Sequence, residues 1–282
     1  MHKHTGFQTA FSTSRHDSLL DVVIPCYQAA ATLARAAESA LAQPEVRHVW
    51  LVDDASTDDT RAAMNALAAA LPRIRCAFLP DNGGVARARN WGLLQSDAEY
   101  VAFLDADDAY ETGALAAAMM ALPLYPHISL IRLKLKAVGL PERYRRHPGL
   151  AQAWQRLQMT VGGNTVFRRS VLLACGGFPQ DELFRRFGGE DAALGIALTR
   201  TSVVGTLFGE DEPAVLHYCR DGMHAERLLD LALFNIPHPH IHTDHLAQAE
   251  AVTERICRQL AAAREALSPP QTGIMPLLPE RG

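Results

Sequence analysis

Four short apolar runs, Asp21–Ile24, His48–Val52, Ile74–Leu79 and Tyr100–Leu104, are each followed by a helical pattern, and this alternation constrains the chain more than any other feature. The helices are predicted over TLARAAESALAQ, TRAAMNALAAAL, VARARNWGLL and TGALAAAMMAL. Strand and helix in turn call for repeated βα units on a parallel sheet, so the first 122 residues read as α/β. Ligands of such open sheets bind beyond the carboxyl ends of the strands. The polar residues collect there: PCYQ after the first run, DDASTDD after the second, DNGG after the third and DADD after the fourth. Four loops are therefore expected to converge on one crevice.

After Ile128 the pattern changes. ISLIRLKLKAV reads as one strand, followed by a basic stretch, PERYRRHPG, and by GGNTVF, RRSVLLACGGF and GGEDAALGIAL. No Pro/Gly/Ser-rich linker divides the chain, so one continuous fold is expected, with the second half covering the crevice. A helix is predicted from about His245 to Leu267, then a loose tail. With 282 residues and 48% hydrophobic content the chain can bury a sizeable core. A net charge of -4 supplies no basic field, which disfavours nucleic acid as a partner. Five scattered cysteines without a CxxC pair argue against a disulfide framework or zinc module and fit a reducing, cytoplasmic setting. The amino terminus lacks an apolar h-region, and the longest apolar run, Ala114–Tyr125, is too short to span a bilayer and contains Pro123. No transmembrane segment is expected.

The chemistry concentrates at the strand ends. Asp105, Asp107 and Asp108 crowd three carboxylates into four positions, which needs a cation nearby. An Asp-x-Asp pair offers hard oxygen ligands to Mg²⁺ or Mn²⁺, and such a metal neutralises a diphosphate leaving group. The alternative is a solvated turn in which Asp108 or Thr112 caps the next helix. Asp53 and Asp54 lie too early to be caps and suit hydrogen bonds to a base or ribose, whereas Ser56, Thr57, Asp58 and Asp59 serve equally as caps. Gly83 and Gly84 would let backbone approach a ligand, and Arg87 and Arg89 would bring cations toward a phosphate or base edge. The histidine-rich HPHIHTDH has no spacing that suits a metal site and reads as surface. Cys26 and Trp154 read as packing residues.

The ordered set PCY, VDDASTDDT, NGGVARARN and FLDADD resembles the family 2 nucleotide-sugar glycosyltransferases of the GT-A fold. VGGNTVFRRSVLLACGGFPQDELFRRFGGED is similar to the acceptor region of galactosyltransferase-type GT-A enzymes, so the resemblance covers roughly residues 20–225. It implies a Rossmann-like, mostly parallel central sheet flanked by helices in a single continuous domain plus a C-terminal helix. The parts would be a flexible 1–18, a nucleotide-sugar-binding half over 19–125, an acceptor-binding and catalytic half over 126–235, and a helix and tail over 236–282. It also implies inverting transfer from a UDP-sugar, with Mn²⁺ or Mg²⁺, to an acceptor that could be a glycan, lipid-linked sugar, peptide or small molecule. By that resemblance Pro25 and Tyr27 shape the base pocket, Asp54 contacts uracil or ribose, Arg89 lies along the nucleotide and Asp105 faces the ribose. Asp53, Asn82 and Arg87 join them on the substrate side. Asp107 and His217 would bind the metal, with His224 as the other candidate histidine. Asp191 would be the general base and Glu190 would hold the acceptor, beside Gly188 and Gly189, which admit substrate close to the backbone. First-turn acids favoured by a helix dipole are the alternative reading of Glu190 and Asp191.

Two departures bear on substrate. Phe187 stands where galactosyltransferase-type relatives carry Trp, and the QxxRW signature of processive synthases is missing, so single transfer is expected. A sugar nucleotidyltransferase should show a GxGTR loop after the first strand and a dinucleotide oxidoreductase GxGxxG, and PCYQAAATL is neither. A non-catalytic nucleotide-sugar-binding module could keep the first four loops, but the intact GGED argues against it.

Overall fold

The computed structural model describes residues 19–220 and 222–267. The expectations for residues 1–18 and for the tail after Leu267 lie outside the described residues. The first half alternates as anticipated: β1 (Leu20–Cys26), α1 (Leu33–Leu41), β2 (Val46–Asp53), α2 (Thr60–Ala70), β3 (Ile74–Phe78), α3 (Val85–Gln95) and β4 (Tyr100–Phe103). β1 pairs in parallel with both β2 and β4, and β2 in parallel with β3, so the ends of β1, β2 and β4 lie side by side.

Side chains alternate across a strand, so a strand covered on both faces feeds two cores. Val22 and Ile24 of β1 join the core that holds Leu33, Ala36 and Ala40 of α1, whereas Val23 joins the core that holds Ala88 and Leu93 of α3. Each such large apolar side chain contributes about 1.5–3 kcal/mol on burial. α3 sits so close to β1 that a Cβ on Gly92 would lie 2.4 Å from Val23 Cγ1.

The second half contains β5 (Ala109–Tyr110), α4 (Ala116–Leu124), β6 (Ile128–Leu133), β7 (Leu135–Val138), α5 (Glu142–Arg145), α6 (Leu150–Leu157), β8 (Thr165–Arg168) and α7 (Arg169–Ala174). It continues with α8 (Glu182–Phe187), α9 (Glu190–Thr201), β9 (Val203–Leu207), β10 (Val215–Tyr218), α10 (His224–Phe234) and α11 (Thr243–Leu267). The main sheet runs β3-β2-β1-β4-β8-β6-β9, with β8 antiparallel to its neighbours β4 and β6 and the remaining pairs parallel.

One strand expectation is corrected. Residues 128–138 break at Lys134: β6 stays in the main sheet, while β7 joins β10 and β5 in a three-stranded sheet ordered β5-β10-β7. The break is held by backbone bonding that local alternation does not reveal. The buried Asn164 amide donates to the Leu133 carbonyl at 2.7 Å, and Val215 N–H donates to the Lys134 carbonyl at 2.8 Å. In that small sheet β10 pairs with β5, which follows the loop after β4, and with β7, and this brings His217 to the carboxylates of that loop. α11 packs on α9 through Val252, Ile256 and Leu260. Among the described residues no helix is long and apolar enough to cross a membrane.

Candidate active site

Two contiguous cavities occupy the strand ends. One, of about 540 Å³, is lined by Pro25, Tyr27, Asp54, Asn82, Asp105 and Asp107. The other, of about 530 Å³, is lined by Arg89, Asp105, Asp107, Gly188, Gly189, Glu190, Asp191 and His217. Asp105, Asp107 and Arg220 border both, so they stand at the junction.

Each crowded carboxylate has its own basic partner. Asp105 pairs with Arg89 at 2.8 Å, Asp107 with Arg220 at 2.9 Å, and Asp108 with His217 Nδ1 at 2.8 Å. Burial pushes the Asp107 carboxyl above its ordinary range and that of Asp108 up to about 6. Asp108 is fully buried and also accepts from Tyr218 N–H at 3.1 Å, so it ties the start of β5 to β10 and does not cap a helix. Burial pushes the His217 imidazole down, but its bond to Asp108 and the charges of Asp108, Asp105 and Asp107 more than offset this, and its pKa is raised.

Loop architecture explains the other carboxylates. Asp54 accepts from Gly83 N–H at 2.9 Å and Gly84 N–H at 2.7 Å, stitching the β2 loop to the β3 loop while lining the first cavity. Asp53 differs from expectation: it has no exposed surface and accepts from Ser56 N–H and from Arg61 Nε at 2.6 Å. As the last residue of β2 it turns under its own loop and lines neither cavity. Arg87 differs too, pairing with Asp81 at 2.6 Å outside both cavities. A Cβ on Gly83 would lie 2.1 Å from Arg87 Cδ, so Gly83 makes room for that side chain. Asp58 accepts from Thr60 N–H just ahead of α2, whose N-cap position is Asp59, with no side-chain cap bond.

Arg89 is only 3% exposed and spans the two halves, reaching Asp105 with Nη2 and Glu190 Oε1 with Nη1 at 3.1 Å. It lines the second cavity only and bridges carboxylates, where the resemblance implied a position along the nucleotide. Two glycines make room for this pair: a Cβ on Gly162 would lie 2.7 Å from Arg89 Nη1, and one on Gly163 2.7 Å from Asp105 Oδ2. Burial and the neighbouring Asp191 charge push the Glu190 carboxyl up to about 7, opposed by Arg89. Asp191 accepts from Gly162 N–H and Ala192 N–H, each at 2.8 Å. Gly188 and Gly189 hold positive φ (70° and 97°), a region that Gly occupies without strain, at the turn that presents Glu190 and Asp191.

The residues suit a divalent metal, though among the described residues no three His, Cys, Asp or Glu are assembled to hold one alone. His217 Nε2 is buried without a hydrogen-bond partner on a side chain that lines the cavity, while its other nitrogen is fixed by a carboxylate. That is the arrangement of a metal-ligating histidine. The His224 side chain lies outside the described residues. Sequence reasoning missed Arg220, Gly162 and Gly163. The Gly-Gly dipeptide was the available signal for the last two, whereas nothing local marks Arg220.

A mostly parallel sheet with acidic strand ends and a second half closing over them defines the GT-A class of glycosyltransferase fold. S. aureus TarS 1–349 shares this fold at a TM-score of 0.56 and 21% identity, over 88% of this chain and 72% of that one. So does the mannosyltransferase PcManGT from Pyrobaculum calidifontis, in complex with GDP-Man and Mn²⁺, at a TM-score of 0.57 and 21% identity, over 89% and 76%. The chain belongs to glycosyl transferase family 2, whose sequence model matches residues 21–175, more than half of it. It is 38% identical over 94 residues to succinoglycan biosynthesis protein ExoU of Rhizobium meliloti, a match covering 33% of this chain and 28% of that protein. It is 36% identical over 98 residues to the putative teichuronic acid biosynthesis glycosyltransferase TuaG of Bacillus subtilis, over 34% and 39%. The matches thus span well under half of these relatives' length.

Proposed function

We propose that the chain moves one sugar at a time from a UDP-sugar to an acceptor nucleophile, inverting the anomeric centre, with Asp191 as general base. The observation that carries this reading is the pair of contiguous cavities, with Asp105 and Asp107 at their junction and Asp191 on the wall of the second. The first cavity, with Tyr27, Pro25, Asp54 and Asn82 on its walls, suits the nucleoside. Asp107 and His217 Nε2 would hold Mn²⁺ or Mg²⁺, which when bound neutralises charge on the diphosphate. The acceptor oxygen forms its bond to the anomeric carbon as the bond from that carbon to the diphosphate oxygen breaks. The electron pair leaves with UDP, and the acceptor proton passes to Asp191. Glu190, anchored on Arg89, borders the same space and suits a hydrogen bond to the acceptor.

Structures of the same fold are described with UDP, UDP-GlcNAc and GDP-Man, and competition between UDP and GDP tests the choice of nucleobase. UDP release from a panel of UDP-sugars, with and without Mn²⁺ and in competition with UDP or GDP, tests the reading. Metal-dependent release inhibited preferentially by UDP is expected. Tight nucleotide binding without release of UDP under any condition would favour the binding-module alternative.

A further inference from the structure

Arg132, on β6, is a buried cation that the chemistry above does not use. It is 2% exposed, and among the described residues its guanidinium forms no ion pair with a carboxylate. Its Nη1 donates to the Val161 carbonyl at 2.9 Å, and the N–H of Gly162 donates to Asp191 Oδ2 at 2.8 Å. That carbonyl and that N–H belong to one peptide group. A cation on the oxygen side draws electron density through the amide and strengthens its N–H as a donor, and such chains of hydrogen bonds reinforce one another in a low-dielectric interior.

The surroundings are shaped around this arrangement. Burial pushes the guanidinium down to about 10, with the Asp191 charge acting in the other direction. A Cβ on Gly195, in the helix that Glu190 and Asp191 begin, would lie 2.3 Å from Arg132 Nη2, whereas its next nearest contact, Arg132 Cζ, would be at 3.5 Å. An uncompensated buried charge is costly, and an apolar side chain of like volume would pack there without that cost. We propose that Arg132 is a positioning residue for sugar transfer: through the Val161–Gly162 peptide group it fixes the Asp191 carboxylate in its orientation toward the cavity. This rests on the reading of Asp191 as the base.

The test measures UDP release from the best UDP-sugar of the panel, with water as acceptor, for Arg132→Met, Arg132→Lys and Gly195→Ala. Calorimetric UDP titration and melting temperature are measured on the same preparations. Arg132→Met should lower kcat about tenfold, equivalent to some 1.4 kcal/mol of barrier, with KM and UDP affinity unchanged, and Lys should restore part of the loss. Gly195→Ala displaces the guanidinium while keeping its charge and adding helix propensity, so it should reproduce the kcat loss even if the Met variant fails to fold. Unchanged kcat in a folded Gly195→Ala protein, or losses that follow only the folded fraction, would overturn the inference alone. Absence of UDP release by the unsubstituted chain from every donor would remove the transferase reading and this inference with it.

Discussion

Glu190 sits where function and stability pull apart, and Glu190→Gln should separate them. The side chain is 5% exposed, and burial together with the Asp191 charge raises its carboxyl from an ordinary 4.5 to about 7 despite Arg89. Between those values the folded protein holds a proton that the unfolded chain has released. Stability contributed by this group is therefore complete below about pH 4.5 and is lost as pH rises through about 7. The rise corresponds to about 3 kcal/mol at most, at about 1.4 kcal/mol for each tenfold in proton affinity. Gln mimics the neutral acid. At pH 5 the two proteins should unfold at similar urea concentrations, whereas at pH 8 the Gln variant should be more stable by about 2–3 kcal/mol. Asp108, pushed up to about 6, titrates in the same window but is common to both proteins and cancels in the difference. Transfer should fall in the variant, because Gln cannot offer a carboxylate to the acceptor. Parallel pH dependences for the two proteins would refute the burial argument.

Further outcomes follow from the same geometry. Asp191→Asn should lose on the order of a hundredfold or more in transfer rate, while calorimetric UDP affinity stays near that of the unsubstituted chain. Asp107→Ala should remove the strengthening of UDP binding by Mn²⁺, read in titrations with and without the metal, and an undiminished metal effect would exclude Asp107 as a ligand. Gly92→Ala drives a methyl against Val23 and should cost about 1–3 kcal/mol in urea unfolding, with kcat of the remaining folded protein unchanged.

Most of the first half was legible in the sequence because its signals are local. Apolar runs of strand length and the helices after them dictate a parallel sheet, and the strand ends then gather Tyr27, Asp54, Asn82, Asp105 and Asp107 whatever the details of packing. The order of GGED at a helix start likewise placed Glu190 and Asp191 together. The continuous pattern over 128–138 misled for a physical reason: alternation reports which face a residue takes, not which sheet its backbone bonds to, and Asn164 and Val215 decide that from afar.

By itself the sequence determined the fold class, the crevice and the acidic character of its floor, all consequences of short-range periodicity and turn chemistry. Only the tertiary structure decided who pairs with whom. Arg89 meets a carboxylate 101 residues away because α9 begins beside it, and Asp108 meets a histidine 109 residues away because β10 pairs with β5, the strand that follows Asp108. The same packing keeps Asp53 and Arg87 out of both cavities and leaves His217 Nε2 without a hydrogen-bond partner on a side chain that lines the second cavity with Asp107. A side chain's partner is set by the register of elements distant in sequence and by the room that glycines such as Gly162 and Gly195 leave for it. No window of local sequence carries that information.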